Sequence, residues 1–154
     1  MASKRTIVTN RGFVRAEFNF YVGKYLDKMY DAFENKELIG NQCPKCNDVF
    51  FPPRKICGKC NVVIPLEENW VDLPDTGAVV SYTATPYKIT ERGSRTVKKN
   101  RLLGLVKIDD TNTAVVYKLL KMKPEDVEMG MKVKVEWVDK PKGEPMDIKG
   151  FVKV

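Results

Sequence analysis

Hydrophobic spacing divides this chain into two regimes, with a helical period before residue 40 and a period of two after residue 77. Between residues 18 and 39, Tyr21, Tyr25 and Met29 recur every four positions, and Leu26, Tyr30 and Phe33 form an adjacent row. That is the spacing of one amphipathic helix, with Gly40 as its expected stop. Residues 1–17 show no pattern until Phe13-Val14 and read as loose or partly helical. After Gly77, residues 78–87, 102–108, 114–119, 132–138 and 148–154 are strand candidates, rich in β-branched and aromatic types. The fourth is the clearest, because Val133, Val135 and Trp137 alternate with Lys132, Lys134 and Glu136. Between the third and fourth candidates, Lys123 to Gly130 has Pro124 near its start, acids next and glycine last, as one short helical turn requires. Five strands with a helical element after the third predict a small Greek-key barrel of the OB type, an SH3-like barrel being the structural alternative. The expected class is mainly β with an N-terminal helix.

The middle of the chain follows neither period and is governed by sulfur. All four cysteines fall in two C-x-x-C pairs, Cys43-Pro44-Lys45-Cys46 and Cys57-Gly58-Lys59-Cys60. Each pair makes a tight turn that can place two thiolates on one ion, so together they predict a metal ribbon. Four thiolates on one zinc ion leave no position for water, which makes the site structural; iron suits an S4 tetrahedron as well. The formal site charge would be 2 − 4 = −2, and Lys45, Arg54, Lys55 and Lys59 are near in sequence to offset it. Val49-Phe50-Phe51 reads as a short strand, Pro52-Pro53 as a bend, and residues 65–77 as a connector. The expected organisation is a helical segment at 1–40, a zinc ribbon at 41–66 and an OB domain at 67–154.

Charge adds a second candidate site. The chain has 154 residues and a formal charge of +7, and residues 88–101 carry six cations against one acid. A basic loop between the first two barrel strands, preceded by aromatics, suits an anionic ligand. Tyr82, Tyr87, Lys88, Arg92, Arg95, Lys98, Lys99 and Arg101 are the candidate ligand-binding residues, for nucleotide-cofactor phosphates or a nucleic-acid backbone. The other reading is a solvated hairpin arm turning at Arg92-Gly93-Ser94. The helix also has two readings, since its two apolar rows exceed what a small ribbon covers. It packs on its own ribbon, or it leaves Tyr21, Tyr25, Tyr30 and Phe33 for another protein.

Other function classes lose ground on composition. There is no histidine, so a triad with an imidazole base is impossible. The acid pairs Glu67-Glu68, Asp109-Asp110 and Glu125-Asp126 fall in apparent turns, where carboxylates are usually solvated rather than tuned for proton transfer. The expectation is therefore a protein that is not an enzyme. No apolar run approaches the ~20 residues that span a bilayer, and the first residues lack a secretory core, so a cytoplasmic location is expected.

In combination, these features resemble a known family. The stretches Leu38-Ile39-Gly40-Asn41-Gln42-Cys43-Pro44-Lys45-Cys46, Phe51-Pro52-Pro53-Arg54, Cys57 to Cys60 and Asp75 to Thr83 are similar to the prokaryotic zinc-ribbon/OB-fold family, long called a domain of unknown function, that accompanies thiolase-like enzymes. Pro124-Glu125-Asp126-Val127 and Gly130-Met131-Lys132-Val133 extend the likeness, which covers residues 18–154. The resemblance implies a rubredoxin-like ribbon joined to an OB barrel, with the N-terminal helix used for protein contacts. It also implies a non-catalytic acyl-CoA-associated adaptor, in isoprenoid metabolism for archaeal members, that docks thiolase-family enzymes or hydroxymethylglutaryl-CoA synthase and has CoA thioesters as candidate ligands. The rival reading is a single-stranded nucleic-acid binder built on the same two modules.

Overall fold

The computed structural model describes residue 12 and residues 15–89 and 95–154; residues 86–89 and 95–100 enter only through the pairing of their strands. Helix α1 spans Lys24–Glu34, shorter than the expected 18–39. Gly23, at φ 93°, precedes its first turn, and residues 15–22 have no regular structure. At the other end Lys36 adopts φ 61°, and its N–H donates to Phe33 O at 2.9 Å while Glu37 N–H reaches Ala32 O at 3.1 Å. This pair of bonds satisfies carbonyls that the helix end leaves open, so the helix stops at Glu34, before the apolar pattern does.

Leu38 and Ile39 therefore belong to a strand, β1 (Leu38–Gln42), which lies between β2 (Val49–Phe50) and β3 (Trp70–Leu73) in a three-stranded antiparallel sheet. Gly40 is no helix stop. A Cβ there would stand 2.7 Å from the carbonyl oxygen of Phe50, so a glycine lets β2 approach. The stretch expected to be a connector supplies β3, whose Trp70 donates its indole N–H to Leu66 O at 2.6 Å. The ribbon sheet thus draws strands from both sides of the borders at 40/41 and 66/67.

All five barrel strands overlap the stretches that the period of two marked, but the first two run on into the basic stretch expected as a loop: β4 (Thr76–Ile89), β5 (Arg95–Ile108), β6 (Ala114–Lys118), β7 (Lys132–Trp137) and β8 (Ile148–Lys153). Their order is β6-β5-β4-β7-β8. One parallel bridge, Leu119 with Phe151, brings the end of β6 against β8, while the ladder between them is otherwise open. This partly open five-stranded arrangement is the OB topology. A 3-10 turn at Pro124–Asp126 occupies the expected place before β7. A second, at Pro145–Asp147, was not visible in the sequence; there the buried Asp147 carboxylate accepts the N–H groups of Lys142 and Glu144 at 3.0 and 2.8 Å.

One interior joins these parts. Met29 and Phe33 of α1, Leu38 of β1 and Phe51 pack in the same apolar cluster as Val79, Val106, Val133 and Phe151 of the barrel. Phe33 meets Trp137 edge-on at 5.2 Å between ring centroids, a favoured aromatic geometry. Backbone stitching continues the union. Asn112 exchanges bonds with Val49 (N–H to Oδ1, 2.8 Å; Asn112 N–H to Val49 O, 2.7 Å). The Thr113 hydroxyl accepts Phe51 N–H at 2.9 Å and donates to Phe51 O at 2.8 Å.

Candidate metal centre and contact surfaces

The two C-x-x-C turns are copies of one device. In each, the asparagine after the second cysteine takes a left-handed backbone, φ 60° at Asn47 and 53° at Asn61. Asn47 N–H returns to Cys43 O and Asn61 N–H to Cys57 O, both at 2.9 Å. Asparagine tolerates this conformation better than most residues, so the repeated Cys-x-x-Cys-Asn is the fuller signal, and sequence reasoning overlooked its last member. Backbone N–H groups then point at sulfur: Lys45 N–H to Cys43 Sγ and Cys60 N–H to Cys57 Sγ, each at 3.4 Å. Beneath them the fully buried Asn41 bonds both ways with Arg54, Nδ2 to O at 2.7 Å and Oδ1 from N at 3.1 Å, tying β1 to the segment between the turns.

The four sulfur atoms lie within 4.8 Å of one another, and Cys46 Sγ is 3.7 Å from Cys57 Sγ. A tetrahedron with metal–sulfur bonds of about 2.3 Å has edges of about 3.8 Å, so the donor set fits one tetrahedral ion. Cys43 and Cys57 are buried. A metal held here would clasp the two turns together and leave no coordination position for a substrate. The thiols differ in acidity. Burial raises Cys43, but the Cys46 and Lys45 N–H groups and the Cys46 and Cys57 thiols outweigh it and bring it down to about 7. The Asp48 backbone favours the Cys46 thiolate, yet burial and the surrounding thiols push that group up to about 12. Lys59 supplies positive charge beside the sulfurs and pairs with Asp48 at 3.5 Å, bridging the second turn to the first. Its pKa is raised, first by the Asp48 charge and further by Cys46. Arg54 instead lies over the Phe50 ring at 4.4 Å.

The aromatic residues of the first segment separate into two groups. Phe33 is wholly buried, so it is a core residue and not a surface for another protein. Tyr30 is half-buried and edge-on to Phe33 at 5.5 Å; Tyr25 is half-buried and donates its hydroxyl to Ile64 O at 2.6 Å. Tyr21 is exposed, and with it are Phe18 and Phe20, at 81% and 83% of their full accessibility. Those two phenylalanines precede α1 and were not singled out from the sequence, because a helical period was read through a segment that is not helical.

The described part of the basic stretch lies on β4 and β5, which pair with each other, rather than in a loop. Tyr87 pairs with Val97, Lys88 with Thr96 and Ile89 with Arg95; Lys98 and Lys99 lie on β5, and Arg92 falls outside the described residues. Tyr82 is partly exposed and opposite Gly104, and Arg101 is exposed and opposite Thr85. The acid pairs are occupied structurally where bonds are seen: Asp109 accepts Thr76 Oγ1 and Lys132 Nζ, both at 2.8 Å, and Asp126 accepts Lys123 N–H at 3.3 Å. Among the described residues no helix is long and apolar enough to cross a membrane.

Comparison with known proteins places both modules. Residues 31–63 match the model of the ChsH2 rubredoxin-like zinc ribbon domain, and residues 70–138 match that of the ChsH2 C-terminal OB-fold domain. A DUF35 domain-containing scaffold protein of Methanocaldococcus jannaschii is 29% identical over 98 residues, which is 62% of this chain and 64% of that protein, just under two thirds of the relative's length. Two solved structures share the fold. The Ltp2-ChsH2(DUF35) aldolase has a TM-score of 0.59 at 21% identity, covering 82% of this chain and 91% of that one. A DUF35 family protein of unknown function from Sulfolobus solfataricus has a TM-score of 0.55 at 24% identity, covering 71% and 75%. With the metal ribbon and the OB barrel each matched in order along one polypeptide, this chain belongs to the DUF35 family of ChsH2-type zinc-ribbon/OB-fold proteins.

Proposed function

We propose that this chain is a non-catalytic, cytoplasmic adaptor of acyl-CoA metabolism, carrying one structural zinc ion on Cys43, Cys46, Cys57 and Cys60. The observation that carries this reading is the convergence of all four sulfurs in one closed donor set, in a chain without histidine. Every cysteine is thereby engaged in architecture, and the chain's remaining assets are surfaces. The scaffold name of the archaeal relative and the two-protein name of the aldolase neighbour support a role beside an enzyme. The partners proposed are thiolase-family enzymes or hydroxymethylglutaryl-CoA synthase, docked through Phe18, Phe20 and Tyr21, which are already exposed. CoA thioesters are the proposed small ligand of the barrel arm, through Tyr82, Tyr87, Lys88, Arg92, Arg95, Lys98, Lys99 and Arg101. Holding two enzymes together raises the effective concentration of a shared intermediate at the second site, which is the benefit such an adaptor brings.

The test is co-expression of the chain with a thiolase and a hydroxymethylglutaryl-CoA synthase from the same genome, followed by size exclusion and metal analysis. A stable complex, one zinc per chain and no turnover of acyl-CoA by the isolated chain are expected. Thioester cleavage or condensation by the metal-loaded chain alone, or its elution free of both enzymes, would overturn the reading.

A further inference from the structure

Strand β6 leaves β5 before β5 ends. The last regular rung pairs Lys118 with Leu103, and Leu119 N–H still reaches Leu102 O at 3.0 Å. Leu120 N–H already turns to Phe151 O at 2.7 Å, and Lys121, at φ 58°, carries the chain away. Meanwhile β5 extends back to Arg95, held by β4 on its other side. Among the described residues no strand lies along Arg95–Arg101 on the side that β6 vacates. Such an edge offers a row of backbone donors and acceptors.

A cleft of about 260 Å³ opens where this edge begins, walled by Leu102, Leu119 and Leu120 and flanked by Arg101, Lys118 and Lys121. Lys121 pairs with Glu136 at 2.8 Å, whereas Arg101 and Lys118 have no ion pair among the described residues. The edge itself reads Arg95-Thr96-Val97-Lys98-Lys99-Asn100-Arg101, four cations and no acid.

We propose that this edge receives an acidic, extended segment of a partner protein, added antiparallel to β5 as the continuation of β6, with an apolar side chain seated in the cleft. Main-chain pairing supplies affinity in strand addition, and the side-chain pockets choose the sequence. A row of cations on an edge repels basic strands, including a second copy of this one, and so admits acidic ones selectively. Nucleic acid fits the charge but has no ladder of amides to meet the backbone edge, and its phosphates make no use of an apolar cleft wall.

This inference rests on the adaptor reading, yet its test is separate. The metal-loaded full chain is titrated into a fluorescein-labelled peptide of about eight alternating glutamate and valine residues, the length of an ordinary strand. Saturable binding is expected, with slowed amide hydrogen exchange confined to residues 95–101 and their neighbours. A peptide of the same charge with prolines interrupting it should bind roughly tenfold more weakly or worse, because proline removes ladder donors. The variant R101E/K118E, with its fold checked by circular dichroism, should show a similar loss. Equal binding of the interrupted peptide, unchanged exchange at 95–101, or displacement of the peptide by a short oligothymidylate with exchange slowed elsewhere would overturn the proposal. Enzyme complexes that still form while the peptide fails would leave the adaptor reading standing and remove this one.

Discussion

Thr113 is where the two sheets meet at the level of single atoms, its hydroxyl accepting from and donating to the backbone of the buried Phe51. Thr113→Val keeps the shape and strips both bonds, leaving two backbone groups short of a partner. A loss of about 1–3 kcal/mol is expected, read as a lower urea midpoint with metal content unchanged. The converse case is Lys36, a side-chain-bearing residue at φ 61°. Lys36→Gly removes the steric cost of that conformation and should raise stability by up to about 1 kcal/mol, a few degrees in melting temperature. These residues show what the sequence conceals. The four cysteines were legible because thiolate chemistry and spacing are local properties. Thr113 was not, since its meaning depends on a partner 62 positions away. Lys36 was missed because the expected marker of a left-handed helix end is glycine.

Among the elements, the long strands were readable from their repeating pattern, and the short β2 only from its apolar run Val49-Phe50-Phe51. Strand β7 buries one side, so alternation survives there as buried Val133 and Val135 against exposed Lys132 and Lys134. Strand β3 has four residues, too few for any period to emerge, and its stretch read as a connector. Helix α1 was overextended because Phe18, Phe20 and Tyr21 are apolar for some reason other than helix packing; they are exposed. Within the helix, Phe33→Ala should cost about 3–5 kcal/mol in thermal or denaturant unfolding, as for a fully enclosed aromatic whose site cannot collapse. Between elements, Asp109 links β5 to β4 and β7. Its hydrogen bonds from Lys132 and Thr76, in that order, hold its carboxyl below the usual 3.8. A lowered folded pKa contributes stability above the unfolded value and loses it as pH falls through the folded one. Asp109→Asn should therefore be less stable than the parent near neutrality, and the two should converge as the pH falls below the usual 3.8 and through the lowered folded value.

At the scale of the molecule, the metal loops cannot fail alone. Phe51 lies between the second cysteine pair and the first, yet it belongs to the barrel's interior. Chelation, or Cys46→Ser, should therefore broaden and lower the unfolding transition of the entire chain rather than release a single loop, as followed by tryptophan fluorescence from Trp70 and Trp137. Metal affinity should also fall with acid. The bound form needs four thiolates, and Cys46, at about 12, surrenders its proton only to a metal, so each proton released costs about tenfold in affinity per unit of pH lost. Zinc titrations at pH 6 and pH 8 with a competing chelator measure this.

The common interior has a geometric corollary. With residues of the metal ribbon, the helix and the barrel packed on one interior, ribbon and barrel keep a fixed offset from each other. On the adaptor reading proposed above, a partner that touched both ribbon and barrel would have to match that offset, and a drift in one mating surface would have to be met by drift in the other.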